Sequence, residues 1–436
     1  MIKSIYFHLK IFTNIIMKTT IYCLVTILFL SNTNAQQNRG IYGTENWTEN
    51  WTNYKPKTAA YRDAEFILNG DIKTNTTLSR INTYLLVGNV NIKANTTLTI
   101  EAGTVIRGDY LSTGSLVVQA GAKIIANGTE TEPIVFTSNK SASDRNAGDW
   151  GGVVILGNAS TNKPGGTSSL GFENNASYGG NNSIDNSGIF RYVRIEFAGK
   201  KINNILQNGL VLAGVGSTTN IEFVQISFSK GNGIAFKGGN ITTKNLITFK
   251  NSQHDFDFNE GTQVNISNSL AFKFPYFADA SASNCMDIKS YLDKNDTDFS
   301  KKLTTVTASN ITMVNFDEKL EGIVNQAILV SEYATLSLTN SVLHGFFPAV
   351  VLSNEITDDK LKNVLLQNNL FNFCKNSIAY SKKDLKADLG AHYATESFKN
   401  KFDYFDIVEI FEVPDFKSNS NFMLKANNEK NVVTFR

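Results

Sequence analysis

The densest run of chemistry-bearing side chains in this sequence is His254-Asp255-Phe256-Asp257-Phe258-Asn259-Glu260-Gly261. Its alternation of aromatic and charged residues has the two-residue period of a strand. With Phe256 and Phe258 turned inward, Asp255 and Asp257 point outward on one face, with Cα atoms about 6.6 Å apart. Twenty-two residues earlier, Gly233, Ala235 and Lys237 occupy the equivalent positions. The expectation is a floor of small residues beside two carboxylates and an ammonium. Such a groove suits Ca²⁺ with a uronate, or the acid/base pair of an inverting hydrolase, whose carboxyl groups stand roughly 6.5–9.5 Å apart. The same pattern also describes a solvated strand whose acids only keep the surface soluble. No Arg or His is phased to complete a catalytic set around Asp255, Asp257 and Lys237.

A second candidate is the Gly- and Asn-rich stretch 157–188, which carries Glu173 and Asp185, with Asp149 just before it. Carboxylates and carbonyls in a pliable loop suit Ca²⁺, and these three are the candidate metal ligands, although their spacing matches no defined calcium loop. A surface loop without a ligand has the same composition. The tryptophans, Trp47, Trp51 and Trp150, read as a cover over the first packed layers rather than as sugar-stacking platforms. His254, His344 and His392 lack metal-ligand spacing. There is no Gly-rich phosphate loop, no Gly-x-Ser-x-Gly, no Cys-x-x-Cys and no Gly-His-Gly of the polygalacturonase kind.

What must position these residues is a repeat. Short apolar runs punctuated by Gly, Asn and Ser return every twenty-odd residues. Ile226 and Phe228 recur as Ile247 and Phe249, Phe249 as Phe272, and Ile234 and Phe236 as Phe256 and Phe258. Leu98 and Ile100 recur as Leu116 and Val118; Ile328 and Val330 recur as Val350 and Leu352, then as Ile378 and Tyr380. Strands this short cannot bury a face alone, and connections of a few residues exclude crossover helices. Stacking parallel strands coil on coil satisfies both constraints, so the expected fold is all-β, a right-handed parallel β-helix. Asn at the corners tolerates left-handed backbone, and aligned amides can ladder between coils. The expected layout is an N-terminal cap at 36–80, coils over 81–380 with insertions at 157–188 and 275–302, and a C-terminal cap at 381–436.

The chain has 436 residues, 18% of them charged. Residues 1–35 read as a signal peptide, with Lys18, an apolar run Ile21 to Leu30 and small residues before a cut after Ala35; Met17 is an alternative start. Without that segment 38 basic and 39 acidic residues remain, and no basic patch is present, which argues against nucleic acid as a partner. No stretch is long enough for a transmembrane helix, and a monomer is expected. Cys285 and Cys374 lie three or four coils apart, roughly 15 Å along a stack, so two free buried thiols are expected.

Tyr42 to Tyr54 (YGTENWTENWTNY), Leu98 to Gly108 (LTIEAGTVIRG), Gly148 to Gly157 (GDWGGVVILG), Asp185 to Gly188 (DNSG) and Arg191 to Gly199 (RYVRIEFAG) together resemble a family of exported β-helix surface proteins of the Bacteroidetes. Members often carry a sorting domain for type IX secretion, and none is evident in this chain. The resemblance implies a secreted or outer-surface location and supplies no catalytic residues. Three readings follow. The first is a non-enzymatic surface scaffold that binds a glycan or an envelope protein along its lateral face. The second is a polysaccharide lyase or glycoside hydrolase, and the third an accessory of an outer-membrane uptake receptor. No cofactor is required by any of them, with Ca²⁺ the one candidate ion.

Overall fold

The structure, a computed structural model, describes residues 39–171, 176–279, 283–316, 324, 326–382, 388–417 and 419–426. The signal peptide expected at 1–35 lies outside them. The chain winds as a right-handed parallel β-helix whose strands form three ladders, each rung pairing with its counterpart one coil away. Face A runs from Thr97–Ile100 through Lys123–Asn127 and the first halves of the long strands Gly188–Glu196, Asn220–Ser227, Asn240–Phe249, Gln263–Lys273 and Thr305–Asn315 to Val364–Gln367. The second halves of the long strands form face B, which ends on Leu370–Asn372 and Lys401–Asp403. Face C stacks Ser115–Val118, Gly152–Leu156, Leu210–Ala213, Ile234–Lys237, Phe256–Asn259, Met286–Ile288, Ile328–Val330, Val350–Leu352 and Ile378–Tyr380.

The corner between faces A and B is a single left-handed residue on each coil, Tyr192 and Phe223 on the first two long strands and Asn thereafter. Asn245, Asn268, Asn310, Asn340 and Asn368 hold it with φ of 57°, 47°, 56°, 52° and 54°. Asn tolerates this backbone because its short amide can bond locally. The expected amide ladder is present, with Asn368 Nδ2 donating to Asn340 Oδ1 at 2.7 Å. One residue further, a second ladder points inward. The Ile311 N–H donates to Ser341 Oγ, the Ser341 N–H to Asn369 Oδ1 and the Asn369 N–H to Asn400 Oδ1, each within 3.0 Å. The donors freed where each strand bends are thereby satisfied inside the core.

Apart from that ladder the interior is mostly apolar, with inward residues such as Leu98, Ile124, Phe190, Ile221, Phe236 and Phe258 fully buried. Phe236 and Phe258 stack at 4.9 Å, as the offset of 22 requires. Two other offsets misassign partners. Ile226 pairs with Thr248 rather than Ile247. That one-residue difference turns Ile247 and Phe249 out of the core, as a register slip must. Leu98 pairs with Ile124, while Leu116 belongs to face C beside Val90. The offset of 18 therefore compares two faces, not two rungs.

The outward aromatic stripe of face B, Phe197, Phe228, Phe249 and Phe272, would be a large exposed apolar patch if left bare. Both ends of the described chain cover it. Residues 39–63 run against the direction of winding. The Gly40 N–H bonds the Asn340 carbonyl, Ile41 N–H the Thr312 hydroxyl, Tyr42 N–H the Asn268 amide and Asn53 N–H the Gln225 amide, and Tyr61 reaches Glu196. Trp47 and Trp51, expected over the first coil, lie in this strap against Tyr192 and Phe223 on the flank. Trp150 is inside the core. In the C-terminal segment Leu389 and Tyr393 pack on the core at the last coil, with the Tyr393 hydroxyl donating to the Val364 carbonyl, while the part from Ile407 onward climbs the flank. Phe416 packs on Tyr54, Phe249 and Phe272, and Asn46 Nδ2 donates to the Ser420 carbonyl. The stretch 275–302, expected as an insertion, contributes the face C strand Met286–Ile288. Cys285 and Cys374 are free and buried.

Candidate functional site

Face C carries the chemistry. The residues pointing outward along it are Val154, Val211, Ala235, Asp257, Asp287 and Leu329 on successive rungs. Over the apolar part folds a hairpin, Thr167–Ser169 with Ser177–Gly179, whose Tyr178 and the adjoining Ala176 bury Val154, Val211 and Ala235. The insertion 157–188 is thus partly a hairpin lid. A second hairpin, Lys201–Ile202 with Ile205–Leu206, turns on Asn203 and Asn204 at φ of 48° and 63°, the left-handed pair that a tight two-residue turn needs. Between the hairpins and the turn carrying Leu292 and Asp296 lies a groove of about 900 Å³. It crosses the rungs of Val211, Lys237, Asp257 and Lys289, a run of roughly 15 Å at the spacing of paired strands.

Lys237 and Asp257 line this groove as expected, on the Ala235–Asp257 and Lys237–Asn259 pairs. Asp255 does not. It precedes the strand, in a turn where alternation no longer holds, and its carboxylate is buried with no exposure. There it accepts from Asn251 Nδ2 at 3.3 Å and pairs with the equally buried Lys273 at 3.3 Å. Burial raises the Asp255 carboxyl while Lys273 pulls it down. The two acids therefore do not share a face, and the proposed acid/base pair of Asp255 and Asp257 is not assembled.

The partners that Asp257 does have come from residues the sequence reading passed over. Asp287 sits one rung away, and two like charges on adjacent strands repel. Lys289 resolves this by reaching both carboxylates, at 3.2 Å from Asp257 Oδ1 and in direct contact with Asp287 Oδ2. Burial alone would lower the Lys289 ammonium, but Asp257 and Asp287 outweigh it and hold it above the ordinary lysine range. Asn259 Nδ2 donates to Asp257 Oδ2 at 2.8 Å. Glu260 is held by Lys237 at 3.2 Å and by the Tyr178 hydroxyl at 2.6 Å. Lys163 pairs with Asp296 at the far wall. His254 also lines the groove. Its Nδ1 accepts the Asn284 N–H at 3.2 Å, which leaves the Nε2 proton facing Asp287 Oδ2 at 3.6 Å. Burial keeps the imidazole below its usual value against the pull of both aspartates. Each carboxylate in the groove is matched to a cation or a fixed donor, an arrangement suited to holding a polar ligand.

The expected metal ligands have other employment. Asp149 accepts from Ser138 Oγ, Lys140 Nζ and the Asn146 N–H at 2.7–2.9 Å, which fixes the loop before Trp150. Asp185 accepts from Asn158 Nδ2 at 3.1 Å and Ser187 Oγ at 3.2 Å. The two share no partner, and Glu173 lies outside the described residues. Among the described residues no group of three or more His, Cys, Asp or Glu stands at metal-holding distance. No described helix is long and apolar enough to cross a membrane.

No curated protein matches this sequence. Among solved structures, the crystal structure of the Dettilon tailspike protein is similar at 11% identity and a TM-score of 0.24; the match covers 74% of this chain and 63% of that one. The description of a pectate-lyase-like β-helix domain matches residues 70–404, from the first rung of the stack to its last. With three-quarters of its length accounted for in that way, the chain belongs to the pectate-lyase-like β-helix family.

Proposed function

We propose that this protein is an exported surface protein that binds a glycan in the face C groove. The observation that carries the reading is the groove itself, four rungs long, walled by two hairpins and lined by polar side chains already fixed in ion pairs. Fixed donors and acceptors bind hydroxyl-rich ligands without a large ordering cost. The family description, which refers to an enzyme acting on a polysaccharide, supports the ligand class. Binding is favoured over cleavage because both oxygens of Glu260 are engaged, by Lys237 and Tyr178, while Asp257 accepts from Asn259 at Oδ2 and has its Oδ1 beside the Lys289 ammonium, where it accepts no hydrogen bond. A general acid or base needs an oxygen free to exchange a proton with substrate. Export is supported by the leader-like composition of residues 1–35.

The test is affinity electrophoresis and calorimetry against a panel of soluble polysaccharides, with chromatography of the same mixtures for released oligosaccharides. Binding that is lost in Lys237→Ala and Asn259→Ala, without product release, is expected. Product release abolished by Asp257→Asn would overturn the binding-only reading. Retention of no glycan by the wild-type protein would overturn the groove assignment.

A further inference from the structure

Resting on the groove assignment, we infer that its ligand is an uncharged glycan rather than a polyanionic one. Lys163, Lys237 and Lys289 line the groove, and so do Asp257, Glu260 and Asp296. Each ammonium is paired in place, Lys163 with Asp296, Lys237 with Glu260 and Lys289 with Asp257. Beneath the surface Lys289 also serves Asp287, so the described site carries one more negative than positive group when that layer is counted. Lys273, the next cation inward, is used up by Asp255. A carboxylated or sulfated chain entering this groove would find no unpaired cation among the described lining residues and would lie against Asp257 and Glu260. At Lys237 or Lys289 it could gain a lysine only by displacing a buried carboxylate, which would then lack a partner, and at Lys163 it would compete with the exposed Asp296.

A neutral sugar meets none of these penalties. Lysine ammonium groups have three donors each, and Lys237 commits only one to Glu260, so its remaining N–H groups are free for hydroxyl oxygens. Leu170, Ile205, Leu206 and Leu292 on the walls supply apolar edges against which the C–H faces of pyranose rings can rest. The outward stripe of face C thus ties its two acids to one lysine and keeps a net negative charge, instead of presenting a cation to a charged chain.

The experiment measures wild-type binding to neutral glucans, mannans and xylans and to polygalacturonate and alginate, at about 20 mM and about 500 mM NaCl, where screening lengths differ severalfold. Neutral glycans should bind with affinity unchanged within about twofold across that range, and the polyuronates should bind at least about tenfold more weakly at low salt. Asp257→Asn, which removes one negative charge and keeps the side-chain shape, should gain salt-sensitive affinity for polyuronates. Tighter, salt-sensitive polyuronate binding by the wild-type protein would overturn the inference while leaving the groove assignment standing. Absence of binding to every glycan would instead sink both, through the groove assignment. Because the wild-type salt series decides the matter alone, a poorly folding variant does not weaken the test.

Discussion

Lys289→Met should expose how face C tolerates two stacked acids. The substitution keeps the length of the side chain and its apolar stem and removes the charge between Asp257 and Asp287. These carboxylates lie on paired rungs, and both side chains are more than nine-tenths buried. At a separation of about 5 Å and an effective dielectric constant near 20, their unscreened repulsion amounts to ~3 kcal/mol. Removing one member of a buried ion-paired set costs a similar amount, about 3–5 kcal/mol. Denaturant unfolding at pH 7.5 should therefore show a loss of roughly 3 kcal/mol. The pH dependence follows from the sign. In the variant, repulsion makes the folded state hold a carboxyl proton more tightly than the unfolded chain does. Its stability is then recovered at low pH and lost as pH rises, so the deficit should shrink between pH 7.5 and pH 5. In the wild-type protein the lysine is the raised group, and its contribution is complete at neutral pH and lost only in strong alkali. Adding Asp257→Asn to the Met variant should restore most of the loss, because a single remaining acid has nothing to repel it. A deficit below ~1 kcal/mol, or one independent of pH and not rescued by Asp257→Asn, would refute the reasoning.

Three further outcomes are expected. Trp51→Ala, which empties a fully buried site between Tyr192 and Phe223, should cost about 3–5 kcal/mol and make residues 39–63 sensitive to protease while the coils stay folded; a strap that remains resistant would contradict its role as flank cover. Burial pushes His344 down to about 4 from an ordinary 6.5, so its neutral form contributes stability above pH 6.5 that is lost as pH falls toward 4, up to roughly 3 kcal/mol, and His344→Asn should flatten the acid limb of the stability curve. Burial lifts the Cys374 thiol to about 12 and the Cys285 thiol well above its usual value, so neither should react with a maleimide at pH 7.5 until the protein is denatured.

The stack was legible in the sequence because inward side chains must repeat at the spacing of a coil. Phe256 and Phe258 above Ile234 and Phe236, or Val350 and Leu352 above Ile328 and Val330, are pairs that the core demands and that a reader can find. The flank was not legible, for a related reason. Its outward apolar residues, Ile247 and Phe249, imitate inward ones, and only pairing distinguishes Thr248 as the true neighbour of Ile226. Trp47 and Trp51 were recognisable as cover residues, but nothing local says which surface 39–63 should cover. That depends on a patch assembled from four separate coils.

The groove shows the same limit in sharper form. Asp257 and Lys237 could be placed because their strands carry three Phe and an Ile that report the register. Asp287 and Lys289 could not, because their strand is only Met286–Ile288, set between turns rich in Asn, Asp, Lys and Ser that look like an insertion. Yet those two residues give Asp257 its meaning. Without Lys289 the acid on this rung would be a solvated charge or half of a catalytic pair; with it, the charge is cancelled within the stack. A solenoid places residues thirty positions apart at one strand spacing, so the chemistry of any outward side chain is decided by its neighbours on the adjoining rungs. In this protein those neighbours convert an acidic cluster into a set of ion pairs with one negative charge in excess. The charge left for a ligand is therefore a property of pairs such as Asp257 with Lys289 and Glu260 with Lys237, and of no single residue among them.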